Sequence, residues 1–369
     1  MNAEPPALNP PNPYRGWATR MHRVKGAIVV PPETRLFRQK AGILKPDGQY
    51  VGPGALWRKT QEITSYPDMP TEPPAHLPGR WMWGGVLWRH FGHFVVESTG
   101  RLWGLSALDL PLQGILFIPK SPKYGDELAG FHKEFFDLAG ARGVDVRVLT
   151  QPTQVDKLLI PGQGLGIGRI ILGTKACRDF YRDDFAKDVK PDGPERLYIS
   201  RSLIGPNKGA LVCEHRLEEW LADQGYEVFH PQHHDLRTQI ARYRAARQVI
   251  AAEGSAIHMF GLVAREDQQL AIIVRRMSKA TKYIEDHVRA FAGIEPLTVN
   301  EVRRIWKPEG RTKPRFARGE PDYPAIQRRL TEAGFLSPSE PWAGLNDDDV
   351  LADLSRGKPR DMKYVVPGG

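Results

Sequence analysis

Residues 81–105 read WMWGGVLWRHFGHFVVESTGRLWGL. Met82 to Trp88 is a short apolar, aromatic run with the composition of a buried strand. A turn at His90–Phe91–Gly92 leads into a segment that reads as helix. Counting from His93, Glu97 follows at i+4 and Arg101 at i+8, so the spacing predicts three polar side chains on one helical face. Phe94, Val95, Leu102 and Leu105 supply apolar surface for packing against a sheet. A carboxylate, an imidazole and a fixed cation would then stand at the mouth of a strand-to-helix turn, the usual seat of chemistry in an open α/β sheet. A salt-bridged, partly buried helix without chemistry fits the same spacing.

Outward from that stretch the totals set bounds. The chain has 369 residues, enough for two domains, with 41% hydrophobic and 26% charged residues, ordinary for a globular protein. Proline and glycine concentrate towards the two ends, which predicts irregular tails. Cys177 and Cys213 lie in different segments without metal-type spacing, compatible with a reducing cytosol. No run approaches the length of apolar sequence that a transmembrane helix needs. The proline-rich start, MNAEPPALNPPNPYRGW, lacks the order of a signal peptide, so a cytoplasmic protein is expected. A net charge of +9 favours anionic ligands or an acidic membrane face. Nucleic acid is not an expected partner: it calls for basic residues interleaved with exposed aromatics, and the aromatics here fall mainly in strand and helix cores.

Along the chain, Gly26 to Val30 reads as a first strand, and Thr34 to Pro78 as irregular hairpins and loops. Gly114 to Pro119, Val144 to Leu149 and Lys157 to Ile160 are further strands, with an amphipathic helix over 126–141 and another over 176–189. The breaker Lys190–Pro191–Asp192–Gly193–Pro194 marks a domain boundary. Strands are then expected at Arg196 to Ser200, Glu227 to Phe229, Gln248 to Ala252 and Leu270 to Val274. They alternate with helices at His215 to Asp223, Leu236 to Ala246 and Ala256 to Val263. That is a Rossmann-like βαβαβαβ pattern. The chain thus divides into an irregular arm (1–22), a first α/β lobe (23–190), a Rossmann-like lobe (191–305) and a Pro- and charge-rich extension (306–369). The tail from Ser337 carries weak core content.

Two further places carry chemistry. At Gly254–Ser255 a small-residue turn opens a helix at Ala256, where unpaired N–H groups and the positive end of the dipole suit a diphosphate or a carboxylate. Ser255 either adds a hydroxyl to that site or caps the helix. This turn lacks the dinucleotide-binding and P-loop fingerprints, and Gly162, Gly164, Gly166 and Gly168 alternate along a β-turn instead of opening a helix. Arg201, where the strand ends in Ile199–Ser200–Arg201, is placed to hold a phosphate bidentately or is a surface arginine. His230, His233 and His234 lie on a loop with only Asp235 near, so no metal site is expected.

Together these places resemble glycosyltransferase family 61, the group that includes plant xylan and animal O-mannosyl glycan transferases and many bacterial capsule-type relatives. His93–Phe94–x–x–Glu97–x–x–x–Arg101–Leu102 is similar to the family's H-W/F-x-x-E-x-x-P-R-L block. Leu197–Tyr198–Ile199–Ser200–Arg201 is similar to its strand ending in Ser-Arg, and Glu214, Gly225, Gln239, Ala246 and Gly254–Ser255–Ala256 follow in the family's order. The likeness covers about residues 80 to 265. Cys213 stands where the family usually has Asn, Glu253 where it commonly has His, and Gly100 where it has Pro.

The resemblance implies a GT-B architecture, two Rossmann-like lobes with parallel sheets facing across a cleft and the donor held by the second. It implies an inverting hexosyl- or pentosyltransferase using a nucleotide-sugar as co-substrate, with no cofactor and no metal, in surface polysaccharide biosynthesis. His93 or Glu97 would be the base, with Arg101 orienting that pair or touching substrate. Arg201, Gly254, Ser255 and Ala256 would hold the donor diphosphate, and Glu214 a donor hydroxyl. The acceptor would be a glycan or lipid-linked glycan, met by a cytoplasmic protein with peripheral contact to the membrane's inner face. A non-catalytic nucleotide- or carbohydrate-binding protein of the same fold is the rival, and the departures at Cys213 and Glu253 suit it.

Overall fold

A computed structural model of the chain describes residues 8–108, 111–205, 208–311, 313–356 and 364–366. Residues 1–7 of the expected arm, and 312, 357–363 and 367–369 of the expected extension, lie outside the described residues. The chain forms two compact units, Met1–Asp188 and Val189–Gly369.

The first unit is built on a six-stranded sheet of β1 (Met21–Val30), β2 (Gly42–Leu44), β3 (Ala75–Leu87), β4 (Gly114–Pro119), β5 (Asp145–Val148) and β6 (Thr153–Pro161), in the order β2-β1-β6-β3-β4-β5. β6, β3, β4 and β5 run parallel. β1 is antiparallel to both β6 and β2. The sheet is therefore mixed, and the expectation of a parallel sheet in this lobe is corrected. The expected loop region hides the nearer antiparallel partner, the three-residue β2, and the longer one, β6, lies more than a hundred residues downstream. β1 also starts inside the expected arm and β3 inside the expected loop region. The extra lengths, Met21–Lys25 and Ala75–Arg80, are polar and half exposed, so they lack the apolar run that marks a buried strand.

One sheet face buries Val29, Ile43, Trp81, Trp83, Leu116, Leu158 and Ile160. Against another part of the unit, Phe94 meets Phe135 of helix α1 (Gly130–Phe136) edge-on at 5.1 Å between ring centroids. The segment after β3 is not the single helix that the spacing predicts. Phe91–His93 makes one α-turn, Phe94–Ser98 widens to a π-turn, and after a bend Leu102–Leu105 tightens to 3₁₀. A π-turn is often found where a side chain must be re-aimed at a functional site. Ser98 anchors it, donating to Val86 O at 2.8 Å and accepting from Trp88 N–H at 3.0 Å. At Gly100 a Cβ would lie 2.4 Å from Leu165 O, so the loop over 162–168, which the glycines line, packs directly on this bend.

The second unit contains β7 (Arg196–Ile199), β8 (Glu227–Phe229), β9 (Gln248–Ala252), β10 (Gln269–Ile273) and β11 (Leu297–Val299) in a wholly parallel sheet of order β8-β7-β9-β10-β11. Helices α2 (Glu214–Asp223), α3 (Leu236–Ala245), α4 (Ala256–Val263) and α5 (Ala280–Ala292) connect the strands. This is the alternation that the sequence shows. Strand order reverses between β7 and β9, which makes the space beyond their carboxyl ends a topological switch point, the usual ligand crevice of an open α/β sheet.

The chain beyond residue 306 is part of this unit's core, and from Ser337 on this corrects the expectation of weak core content. Tyr323 and Leu330 of α6 (Tyr323–Glu332), Phe335, Trp342, and Val350 and Leu354 of α7 (Asp347–Ser355) pack with Leu217, Leu221 and Ile250. Trp342 stacks on Trp220 at 5.0 Å and an interplanar angle of 12°. Single aromatics scattered among prolines and charges have no period to read, yet each buries a large apolar surface.

Candidate active site

In the first unit the wide turn after β3 brings His93 and Glu97 into contact, Nδ1 to Oε2 at 2.8 Å. Arg58 closes the carboxylate from the other side, donating from Nε to Oε1 at 2.9 Å and from Nη2 to Oε2 at 2.6 Å. Glu97 is fully enclosed and His93 is about a third exposed. Burial pushes the Glu97 carboxyl up, but hydrogen bonds from His93 and Arg58 and the guanidinium charge outweigh it, so its pKa lies below the ordinary carboxylate value. A carboxylate accepts only, so Nδ1 carries the proton that binds Glu97. The 3.3 Å approach of Arg58 Nη2 to that nitrogen is then a contact between two donors. Nε2 is left as the lone-pair nitrogen, with no hydrogen-bond partner among the described residues.

Aromatic and cationic groups frame the pair. The Trp88 ring lies 4.7 Å from the His93 ring and 4.9 Å from the Arg58 guanidinium carbon. Lys120 Nζ is 5.5 Å from the same indole and donates to Leu36 O, Phe37 O and Gln39 Oε1. Burial, with Arg58's charge, brings the Lys120 ammonium down to about 8.

Arg101 does not share the face. It is buried, with Nη1 on Pro161 O and Nη2 on Ala55 O at 2.7 Å, and burial lowers its pKa to about 9. The bend after the π-turn swings it away from His93 and Glu97. The third member of the constellation is Arg58, which sequence spacing missed. It arrives from a short strand, Trp57–Arg58, far upstream in the chain.

In the second unit, Arg201 follows β7 and Gly254 follows β9, side by side at the switch point. A Cβ on Gly254 would lie 2.3 Å from Arg201 Nη1, so the guanidinium rests directly over the turn. Arg201 Nη2 donates to Gly209 O at 3.1 Å, while its buried Nε has no acceptor. Burial lowers the Arg201 pKa against the opposing charge of Glu214. Ser255 makes no cap hydrogen bond to α4, so the capping alternative is not taken and its hydroxyl stays available beside Ala256, the first helical residue.

Two arginines that sequence reading passed over complete the cluster. Arg275 and Arg276 follow β10, the same strand-end position that singled out Arg201. Arg275 donates to Glu253 O at 2.9 Å and Ala317 O at 3.1 Å, and Arg276 to Glu253 Oε1 at 2.7 Å. Burial, then the charges of Arg201 and Arg276, drives the Arg275 pKa well down. Of the three guanidinium groups only that of Arg276 pairs with the enclosed Glu253 carboxylate, which leaves an excess of positive charge that attracts a further anion.

Glu214 is placed differently from expectation. It is 2% exposed, and its Oε1 accepts from Arg201 N–H at 2.6 Å, Tyr198 OH at 3.0 Å and Ser200 Oγ at 3.1 Å. The assignment to a donor hydroxyl is corrected: the carboxylate is turned inward and braces the end of β7. Gln239 likewise donates to Pro231 O and His234 O and holds the loop before α3. Among the described residues no three His, Cys, Asp or Glu side chains come together as metal ligands.

With both constellations placed, comparison with protein families returns one decisive finding. Residues 91–268 match the family model of glycosyltransferase 61. No curated protein matches the chain. The matched stretch supports a glycosyltransferase, with a sugar donor and a glycan acceptor in general. It runs from the turn before His93 to the threshold of β10 and so takes in His93, Glu97, Arg101, Arg201, Glu214 and Gly254. Arg58, Arg275 and Arg276 fall outside the matched stretch. No helix among the described residues is long and apolar enough to cross a membrane.

Proposed function

We propose that the protein transfers a hexosyl or pentosyl group from a nucleotide-sugar to a hydroxyl of a glycan or glycolipid, with inversion and without a metal, in cytoplasmic surface-polysaccharide synthesis. The observation that carries the reading is the His93–Glu97–Arg58 arrangement. Glu97 fixes the imidazole tautomer through Nδ1, which leaves Nε2 as the base, the logic by which a buried carboxylate orients a catalytic histidine. This assigns the base to His93 and makes Glu97 its positioning partner. In the transfer, the acceptor oxygen gives its proton to His93 Nε2 and bonds to the anomeric carbon. The anomeric carbon–oxygen bond breaks, and its electron pair leaves on the nucleoside diphosphate.

Arg201, Arg276, Ser255 and the start of α4 supply the positive charge that the departing diphosphate needs. The reading takes a GT-B-like division of labour, with the base in the first unit and the anion cradle in the second. The test is turnover with a panel of nucleotide-sugars, first narrowed by thermal shift. Folded His93→Ala protein is expected to lose about 10²- to 10⁴-fold in kcat, the usual weight of a general base, while still being stabilised by the donor. Wild-type transfer by that variant would sink the assignment. Donor binding without any transfer or hydrolysis by the wild type would sink the enzyme reading.

A further inference from the structure

Cross-strand pairing in the first unit sets Lys25 opposite Lys157 and Lys157 opposite Arg80. Three neighbouring strands therefore contribute one row of cations, about 10 Å long at the usual strand spacing of about 4.8 Å. Arg23, two residues along β1, shares the face. Like charges directly opposite one another destabilise a sheet, and no carboxylate among the described residues pairs with any of the four. The adjacent acidic side chain, Asp156, feels the charge of Lys157 but forms no ion pair with it, and is hydrogen-bonded to His76 at 2.8 Å and to Gly79 N–H at 2.9 Å. That second bond secures the irregularity in β3 that brings Arg80, and not Gly79, into register with Lys157. The row is maintained by the fold at a cost in self-repulsion, which is what a site for an anion requires.

The same residues line a cavity of about 560 Å³, within the size range of small-molecule sites. The rest of its lining is apolar and includes Leu108 and Leu159, the latter beside Lys157 on the same face of β6. We propose that this groove binds the phosphate-bearing headgroup of an anionic lipid, phosphate on Lys25, Lys157 and Arg80 and the first methylenes of the chain against Leu108 and Leu159. A free phosphate would leave the apolar wall unused. A single-stranded nucleic acid would need aromatic stacking platforms, and the lining has none. The site holds the protein at an acidic lipid surface. It does not rest on sugar transfer, since neither His93 nor Arg201 takes part.

The test is co-sedimentation of the full chain with vesicles of phosphatidylcholine alone or mixed with phosphatidylglycerol. Binding is expected only to the mixed vesicles and to weaken with salt. Lys25→Ala/Lys157→Ala protein is expected to bind about 30-fold more weakly, from the usual contribution of each cation near an anionic surface. Leu108→Ser is expected to weaken vesicle binding while leaving the response to soluble tripolyphosphate unchanged. Equal binding to neutral vesicles, undiminished binding by the double variant, or wild-type vesicle binding by Leu108→Ser each overturn the proposal. Circular dichroism confirms that the variants are folded.

Discussion

At His93, Glu97 and Arg58 the chemistry depends on which partner the carboxylate serves. Arg58 neutralises Glu97 and His93 uses its second oxygen, so the pair stays aligned while fully enclosed. Because hydrogen bonds and charge hold the Glu97 pKa below its ordinary value against burial, the carboxylate stabilises the fold above the unfolded-chain pKa near 4.3. That contribution is lost only as pH falls through the lower folded value. Arg58→Met removes the guanidinium charge and its hydrogen bonds and leaves only His93 against burial, so Glu97 is expected to titrate higher and the variant to unfold at higher pH during acid titration. Breaking a buried pair on one side typically costs about 3–5 kcal/mol at neutral pH, readable by urea unfolding followed with near-UV circular dichroism. An acid transition identical to wild type would show that Arg58 does not hold Glu97 ionised. Gly254 offers a separate test at the same scale. Gly254→Ala would place a methyl 2.3 Å from Arg201 Nη1 and force the guanidinium off the turn. Nucleoside diphosphate binding is expected to weaken at least about tenfold, the loss of one charge-assisted contact of about 1.5 kcal/mol, by isothermal titration.

At the scale of the element, the end of β7 is fastened to the start of α2 through one carboxylate. Glu214 Oε1 gathers three donors while Oε2 is buried with none. Burial raises its pKa despite the Arg201 N–H and charge, so its ionisation costs stability as pH rises through the folded value. Glu214→Gln keeps an oxygen for the three donors and removes the charge, and is expected to change neutral-pH stability by less than about 1 kcal/mol. Glu214→Ala strands those donors and is expected to cost about 3 kcal/mol or more. Equal losses in the two, by denaturant unfolding, would mean that the carboxylate's charge, not its oxygen, holds the strand end. The same elements show what could be read from the chain alone. β7, β9, α4 and β10 declare themselves because each is a short apolar run or period beside its own turn, and a parallel sheet needs only their alternation. Hence Arg201 and Gly254 were found together. β1 and β6 pair across most of the first unit, so no window holds both. The segment after His93 has helical spacing throughout, yet it widens at Phe94–Ser98 and bends before Arg101. A 3.6-residue period captures His93 with Glu97, one turn apart, and misassigns Arg101, two turns apart. Arg58 lies beyond any such pattern, whereas Arg275 and Arg276 carry the same strand-end signal as Arg201.

At the scale of the whole molecule, the two units differ in how much each depends on distant chain. The second has a complete parallel sheet, its connecting helices, and a core that extends through Tyr323, Trp342 and Leu354. A chain ending at residue 305 would expose the apolar faces that α6 and α7 cover, and Trp342→Ala alone is expected to cost about 3–5 kcal/mol, the range for removing a buried large aromatic. Val189–Gly369 on its own should therefore fold, whereas 189–305 should not. The isolated unit carries Arg201, Gly254, Ser255, Arg275 and Arg276 intact, since every contact described for them lies within it. It is expected to unfold in a single cooperative transition and to be stabilised by a nucleoside diphosphate, by about 2.7 kcal/mol at a ligand concentration about 100 times Kd. Arg201→Ala/Arg276→Ala in the same unit should abolish that gain, and because Arg276 is the partner of the fully buried Glu253 carboxylate the unliganded transition should itself fall, by about 3–5 kcal/mol. Calorimetry of the three proteins decides the matter. A folded unit indifferent to nucleoside diphosphates would take the donor away from the switch point, and a folded 189–305 would return the last sixty residues to the status of an appendage.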